Sequence, residues 1–298
     1  MAATAPQISL TDYKVDTKPT WCPGCGDYAV LTAIQKALSD LQIPPHQVAV
    51  VSGIGCSSNL PHFLRAFGVH SLHGRALPVA QGIKLANPDL HVIAVGGDGD
   101  GYGIGQGHFI HAMRRNIDIT YIVMNNEIYG LTTGQTSPTS LKGMATKSTP
   151  NGNIENPVNP VGLALMAGAT YVARGFSGDP KNLAELYKNG IAHKGFSLID
   201  TQSPCVTYNK LNTYDYFRGK YVNIQTEGHD HSNFEAAVRR SLEWPTLLSE
   251  KIPFGLFYET KDKRTYDEDE LAYKVGNPLH GDLALTKDEA KSLLESLM

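Results

Sequence analysis

Cysteine is scarce. Only Cys22, Cys25, Cys56 and Cys205 occur in a chain of 298 residues, too few and too scattered to staple a fold of this size with disulfides. Each is therefore an inert core thiol or a thiol with chemistry to do. No apolar run approaches the roughly 18 residues of a membrane span. Met1 to Lys18 has no basic start followed by an apolar stretch, so neither a span nor a signal peptide is expected and the cytoplasm is the default compartment. An excess of one charge is lacking too. Lys plus Arg number 26 against 29 Asp plus Glu, a net charge of -3, which supplies no global field for nucleic acid or anionic lipid. Repeats and low-complexity tracts are missing, and 41 % hydrophobic with 18 % charged residues excludes a disordered chain or a coiled coil. What is left is a globular protein whose partners must be argued from its sites.

Glycine, by contrast, is plentiful, with 29 residues, much of it in short clusters that mark close backbone approach. Apolar, β-branched runs recur at Val48 to Ser52, His91 to Gly96, Thr120 to Met124, Thr170 to Ala173 and Ser197 to Asp200. Each is continuously apolar, as a strand buried on both faces should be. Segments with helical spacing precede or separate them, at Tyr28 to Leu41, Ala76 to Ala86, Gly105 to Arg114, Val161 to Gly168 and Pro180 to Ala192. The alternation predicts an α/β fold with right-handed crossovers and a doubly wound parallel sheet. That sheet accounts for residues 1–205. Residues 206–298 read as an irregular extension packed on it and on a partner, with a helix-like Asn233 to Glu243 and a charged, solvated run from Lys261 to Glu270.

In such sheets ligands bind beyond the carboxyl ends of the strands. There the chain places Gly53-Ile54-Gly55-Cys56-Ser57, Gly97-Asp98-Gly99-Asp100, Asn125-Asn126-Glu127-Ile128-Tyr129-Gly130 and Ser203-Pro204-Cys205. Asp98, the Asn126 amide and the Ile128 carbonyl offer the hard oxygens that Mg²⁺ shares with phosphate. The flanking glycines and the helix opening near Gly105 offer N–H groups to a diphosphate. This pattern resembles the diphosphate-binding domain of thiamine diphosphate enzymes. A dinucleotide fingerprint fails because Gln106 stands where a third glycine is needed. A calcium loop fails because Phe109 stands where a bidentate Glu is wanted.

Trp21-Cys22-Pro23-Gly24-Cys25 pairs two thiols at metal-binding spacing, and the topology brings Cys56 and Cys205 to the same rim. Four thiolates suit a zinc ion or one iron-sulfur cluster; the scattered ligands and the place of Cys56 in the diphosphate loop favour the redox centre. A dithiol oxidoreductase motif is a further alternative, although no strand precedes it.

Both constellations together resemble the β subunit of a 2-oxoacid:ferredoxin oxidoreductase, most closely the 2-oxoglutarate type, over roughly Lys18 to Phe217. The resemblance implies one [4Fe-4S] cluster on Cys22, Cys25, Cys56 and Cys205. It implies thiamine diphosphate against Ile54, Gly55, Cys56, Ser57, His73, Gly74, Arg75, Ala76, Gly99, Asp100, Gly130 and Leu131, and Mg²⁺ on Asp98, Asn126 and Ile128. Thr132 and Thr133 would face substrate or cap a turn. The implied activity is oxidative decarboxylation of 2-oxoglutarate to succinyl-CoA and CO₂ with reduction of ferredoxin, reversible in principle, with coenzyme A as co-substrate. Pyruvate is the alternative substrate, and a non-redox thiamine diphosphate lyase with structural zinc the alternative chemistry. No second sheet remains to supply the activating Glu, so it is expected from an α subunit, in a dimer of αβ heterodimers.

Overall fold

The computed structural model describes residues 7–244, 250–277, 279–280 and 284–297; the first six residues of the stretch inspected for a leader lie outside them. Its eight strands are β1 (Val48–Ser52), β2 (Phe67–His70), β3 (His91–Gly97), β4 (Thr120–Asn125), β5 (Tyr171–Phe176), β6 (Ser197–Gln202), β7 (Tyr221–Asn223) and β8 (Ile252–Glu259). They form one sheet in the order β2-β1-β3-β4-β6-β5-β8-β7. β1 to β6 are mutually parallel; β8 joins β5 antiparallel, and β7 pairs parallel with β8. The helices are α1 (Asp27–Asp40), α2 (Ala76–Ala86), α3 (Gln106–Arg115), α4 (Pro160–Ala167), α5 (Pro180–Ala192), α6 (Tyr214–Lys220) and α7 (Phe234–Ser241), with further helical turns towards the C-terminus. Local signals set several ends: the Asn159 and Asp179 side chains accept from Gly162 and Asn182 N–H groups, each with Pro as the first helical residue.

Each strand sends alternate residues to opposite faces, and both faces are covered. Val48, Val50, Ile93, Val95, Ile122 and Met124 pack under α1 and α5. Ala49, Val51, Val92, Ala94, Tyr121 and Val123 pack under α2, α3, α4 and α7. That double burial is why the strands read as unbroken apolar runs.

The segment after residue 205 differs from the irregular tail expected of it. β8 extends the sheet, and Phe176, Phe217, Trp244, Ile252 and Phe254 build a third apolar cluster there. Most of the charged run from Lys261 to Glu270 is exposed, but Thr265 and Asp267 are buried.

The strand order positions the site. From β1 the chain moves outwards to β2, then crosses back to β3 on the other side of β1. Loops therefore diverge above β1 and β3 and leave a crevice at their carboxyl ends.

Phe254 is fully buried and stacks on Tyr221 at 4.7 Å between ring centroids. Phe254→Ala should destabilise the fold by about 3–5 kcal/mol in urea titrations, whereas Phe67→Ala, at a position 58 % exposed on the β2 edge, should cost less than about 1 kcal/mol.

Candidate cofactor and metal site

A cavity of about 260 Å³ opens at the crevice, lined by residues 54–57, His73, residues 97–100, Asn126 and residues 128–132. Asp100 organises it. The buried Oδ1 accepts hydrogen bonds from the N–H of Ile54 at 2.9 Å and of Gly74 at 2.7 Å, and lies 3.0 Å from His73 Nδ1. One carboxylate oxygen thus ties the loop after β1 and the entry to α2 to the loop after β3. The other oxygen is buried without a partner. Close approach explains the neighbouring glycine: a Cβ on Gly53 would fall 2.0 Å from Asp100 Oδ2.

Asp98, 1 % exposed, accepts from the Thr139 hydroxyl at 2.6 Å and from Ser137. Burial pushes its carboxyl up to about 6 even though these hydrogen bonds, and one from the Asn126 N–H, pull the other way. Asn126 Oδ1 accepts from Ile128 N–H at 3.1 Å, an Asx turn that places Asn126 and Ile128 beside Asp98. Glu127 between them is fully buried at φ 56, and neither carboxylate oxygen has a partner. Burial, then repulsion from Asp98 and Asp200, raises its carboxyl far above the usual range. The set of one carboxylate, one amide oxygen and one carbonyl fits Mg²⁺ sharing a diphosphate.

Gly74, Arg75 and Ala76 stand outside the lining. Gly74 binds Asp100 through its N–H, Ala76 is buried at the start of α2, and the exposed Arg75 lays its guanidinium against His108. Gly97, Tyr129 and Thr132 line the cavity in addition. The Thr132 hydroxyl contacts the Gln135 side chain, and its carbonyl accepts from Gln135 Nε2 at 2.7 Å.

The four thiols gather at the same rim, and all are free. Cys22-Pro23-Gly24-Cys25 closes a turn, with Cys25 N–H on Cys22 O at 3.0 Å and Gly24 at φ +83. A Cβ on Gly130 would lie 3.5 Å from the Cys205 sulfur and 3.9 Å from that of Cys56, so the missing side chain leaves room between the two. Burial, then the Asp27 charge, pushes Cys56 up to about 11 and Cys25 higher still, and the neighbouring thiols add to both. A cationic centre is what would hold such thiols as thiolates. Among the described residues no three Cys, His, Asp or Glu side chains converge as ligands of a single ion.

A second cavity, about 250 Å³, opens at the opposite ends of the strands. Its buried Lys84 is already engaged by Asp118 at 2.9 Å and by the carbonyls of Pro88 and Leu90.

Comparison with known proteins decides between families. Residues 46–201 match the family described as thiamine pyrophosphate enzyme, C-terminal TPP binding domain, and residues 205–274 match the C terminal of the pyruvate ferredoxin oxidoreductase beta subunit. The 2-oxoacid:ferredoxin oxidoreductase subunit beta of Saccharolobus solfataricus is 46 % identical over 83 % of this chain and 84 % of its own. The chain belongs to the β-subunit family of 2-oxoacid:ferredoxin oxidoreductases. Within that family, the 2-oxoglutarate oxidoreductase subunit KorB of Mycobacterium tuberculosis is 47 % identical over 66 % of this chain and 53 % of its own. A solved 2-oxoglutarate:ferredoxin oxidoreductase from Magnetococcus marinus, with 2-oxoglutarate, coenzyme A and succinyl-CoA bound, superposes with a TM-score of 0.88 at 42 % identity, covering 98 % of this chain and 97 % of that one. As a β subunit of this family, the protein is part of an oxidoreductase with a partner subunit. Among its described residues no helix is long and apolar enough to cross a membrane.

The Asp100 clamp yields a graded prediction. Asp100→Ala leaves the Ile54 and Gly74 N–H groups unmet, at about 1–3 kcal/mol each, so the urea midpoint and thiamine diphosphate affinity should both fall. Asp100→Asn retains an acceptor and should lose less of either, as read by unfolding and by calorimetry on the assembled enzyme.

Proposed function

We propose that this β subunit, with its α partner, oxidatively decarboxylates 2-oxoglutarate in the presence of coenzyme A, yielding succinyl-CoA and CO₂ and passing two electrons to ferredoxin. The observation that carries the proposal is that Cys56 and Gly130 belong to both constellations. Each lines the diphosphate-type cavity, and the Cys56 and Cys205 sulfurs flank the space beside Gly130. A redox centre on Cys22, Cys25, Cys56 and Cys205 would thus adjoin the cofactor. The scattered ligands and the place of Cys56 in the diphosphate loop favour one [4Fe-4S] cluster over a single zinc ion.

Thiamine diphosphate, when bound, supplies an electron sink for the carbon that loses CO₂. The chain's own residues do the holding. Asp98, Asn126 and the Ile128 carbonyl would bind Mg²⁺, and the N–H groups of the glycine-rich loops would face the diphosphate. Trp21, its Nε1–H on Cys56 O at 2.7 Å and its ring edge-on to Phe63 at 5.0 Å, ties the start of the Cys22–Cys25 turn to the Cys56 loop.

The rim supports a partner that completes the site. Leu72, Ile104 and Leu131 are 72 %, 60 % and 55 % exposed there, and among the described residues no glutamate lines the cavity. The α subunit therefore supplies the activating Glu, and contributes to binding coenzyme A and substrate. Free thiols at a metal centre agree with a cytoplasmic setting. Pyruvate is the second reading, favoured by the family matched at residues 205–274.

The αβ complex should reduce a ferredoxin or viologen with 2-oxoglutarate and coenzyme A at least tenfold more efficiently than with pyruvate, and the β chain alone should show no turnover. The reverse preference would assign pyruvate, and full turnover by the isolated chain would remove the α-subunit requirement. Cys205→Ser should lose iron while still binding thiamine diphosphate; Asp98→Ala should do the opposite.

A further inference from the structure

Behind the thiols lies a carboxylate that none of the roles above employs. Asp27 opens α1 two residues after Cys25 and is 1 % exposed. Its Oδ1 accepts from the Ser203 hydroxyl at 2.7 Å, and Ser203 stands two residues before Cys205. Burial first, then the nearby Asp27 charge, raises the Cys25 thiol. The remaining oxygen, Oδ2, is buried without a partner. A parallel contact joins the same two loops one residue earlier: Gly26 N–H donates to Pro204 O at 3.3 Å. A Cβ on Gly26 would fall 2.4 Å from Ser203 Oγ, so the loops touch along their backbones. Helix capping alone does not account for Asp27, because the hydrogen bond of its carboxylate runs to Ser203 and not to the first turn of α1.

We infer that Asp27 is the positioning residue of the thiol centre: its side chain fixes the Cys22–Cys25 turn against the Cys205 loop, and its buried carboxylate beside that turn lowers the reduction potential of the group the four sulfurs bind. The inference rests on the iron-sulfur reading of those thiols. Ligand geometry and hydrogen bonds to sulfur are among the terms that tune such a centre.

The test uses the αβ complex purified anaerobically as wild type, Asp27→Asn, Asp27→Ala and Ser203→Ala. Readouts are iron and acid-labile sulfide per β chain, the electron paramagnetic resonance spectrum of the reduced centre, and its midpoint potential. Asp27→Asn keeps an acceptor for Ser203 but removes the buried negative charge two residues from Cys25. It should retain its iron, alter the spectrum, and raise the potential by at least tenfold in the oxidised-to-reduced ratio, about 59 mV for one electron. Asp27→Ala should lose more than half its iron while thiamine diphosphate still binds, and Ser203→Ala should release iron to a chelator faster than wild type. Should Asp27→Ala fail to assemble, the other two variants decide. Wild-type spectrum and potential in Asp27→Asn, together with wild-type iron retention in Ser203→Ala, would overturn the inference. A wild-type complex without iron would instead overturn the cluster itself.

Discussion

A single carboxylate oxygen, Asp100 Oδ1, holds the site in shape. It takes N–H groups from two loops and lies against the His73 ring while belonging to a third loop, so the ends of β1 and β3 and the start of α2 share one position. A carboxylate buried this deeply is tolerated because two backbone N–H groups meet its Oδ1. The glycines follow from it. Gly53 and Gly96 would each place a Cβ at or within 2.8 Å of the Asp100 carboxylate, so the richness in glycine serves internal packing as much as it serves a diphosphate.

The strand order gives that clamp something to hold. Because β1 and β3 are neighbours while the chain between them detours through β2, their loops part and leave the crevice open. The same rim receives Cys56 from β1, Asn126 to Gly130 from β4 and Cys205 from β6. The residues proposed for metal, diphosphate and thiol chemistry are therefore neighbours through topology, and the extension beyond Cys205 adds β8 to the sheet, so the last thiol lies inside the fold and not at its end.

Much of this was legible in the sequence, for identifiable reasons. The five central strands are buried on both faces, so each shows as an apolar run, and α2 and α5 begin and end where their spacing places them. β2 was missed because Phe67 to His70 is an exposed edge strand with little apolar signal. β8 was missed because Ile252 to Glu259 includes Pro253 and Gly255 and follows a polar stretch. Asp98 and Asn126 stood out through their glycine and asparagine neighbours. Ser137 and Thr139, which hold Asp98, come from a loop twelve and more residues past Asn125, and only the dense hydroxyls of Ser137-Pro138-Thr139-Ser140 could have flagged them. Asp100 was read as touching cofactor; it lines the cavity, and its Oδ1 is also taken by the protein's own donors. Asp27 gave no signal, since an Asp at a helix start is commonplace.

The central claim is that one β chain carries both a thiamine diphosphate site and an iron-sulfur site on a shared rim. The most direct measurement is the content of iron, acid-labile sulfide and thiamine diphosphate per β chain in the complex isolated without oxygen. The account predicts one thiamine diphosphate with about four irons and matching sulfide attributable to the β chain. Zinc without sulfide, or thiamine diphosphate without iron, would contradict it and leave a thiamine enzyme with no path for electrons beside its cofactor.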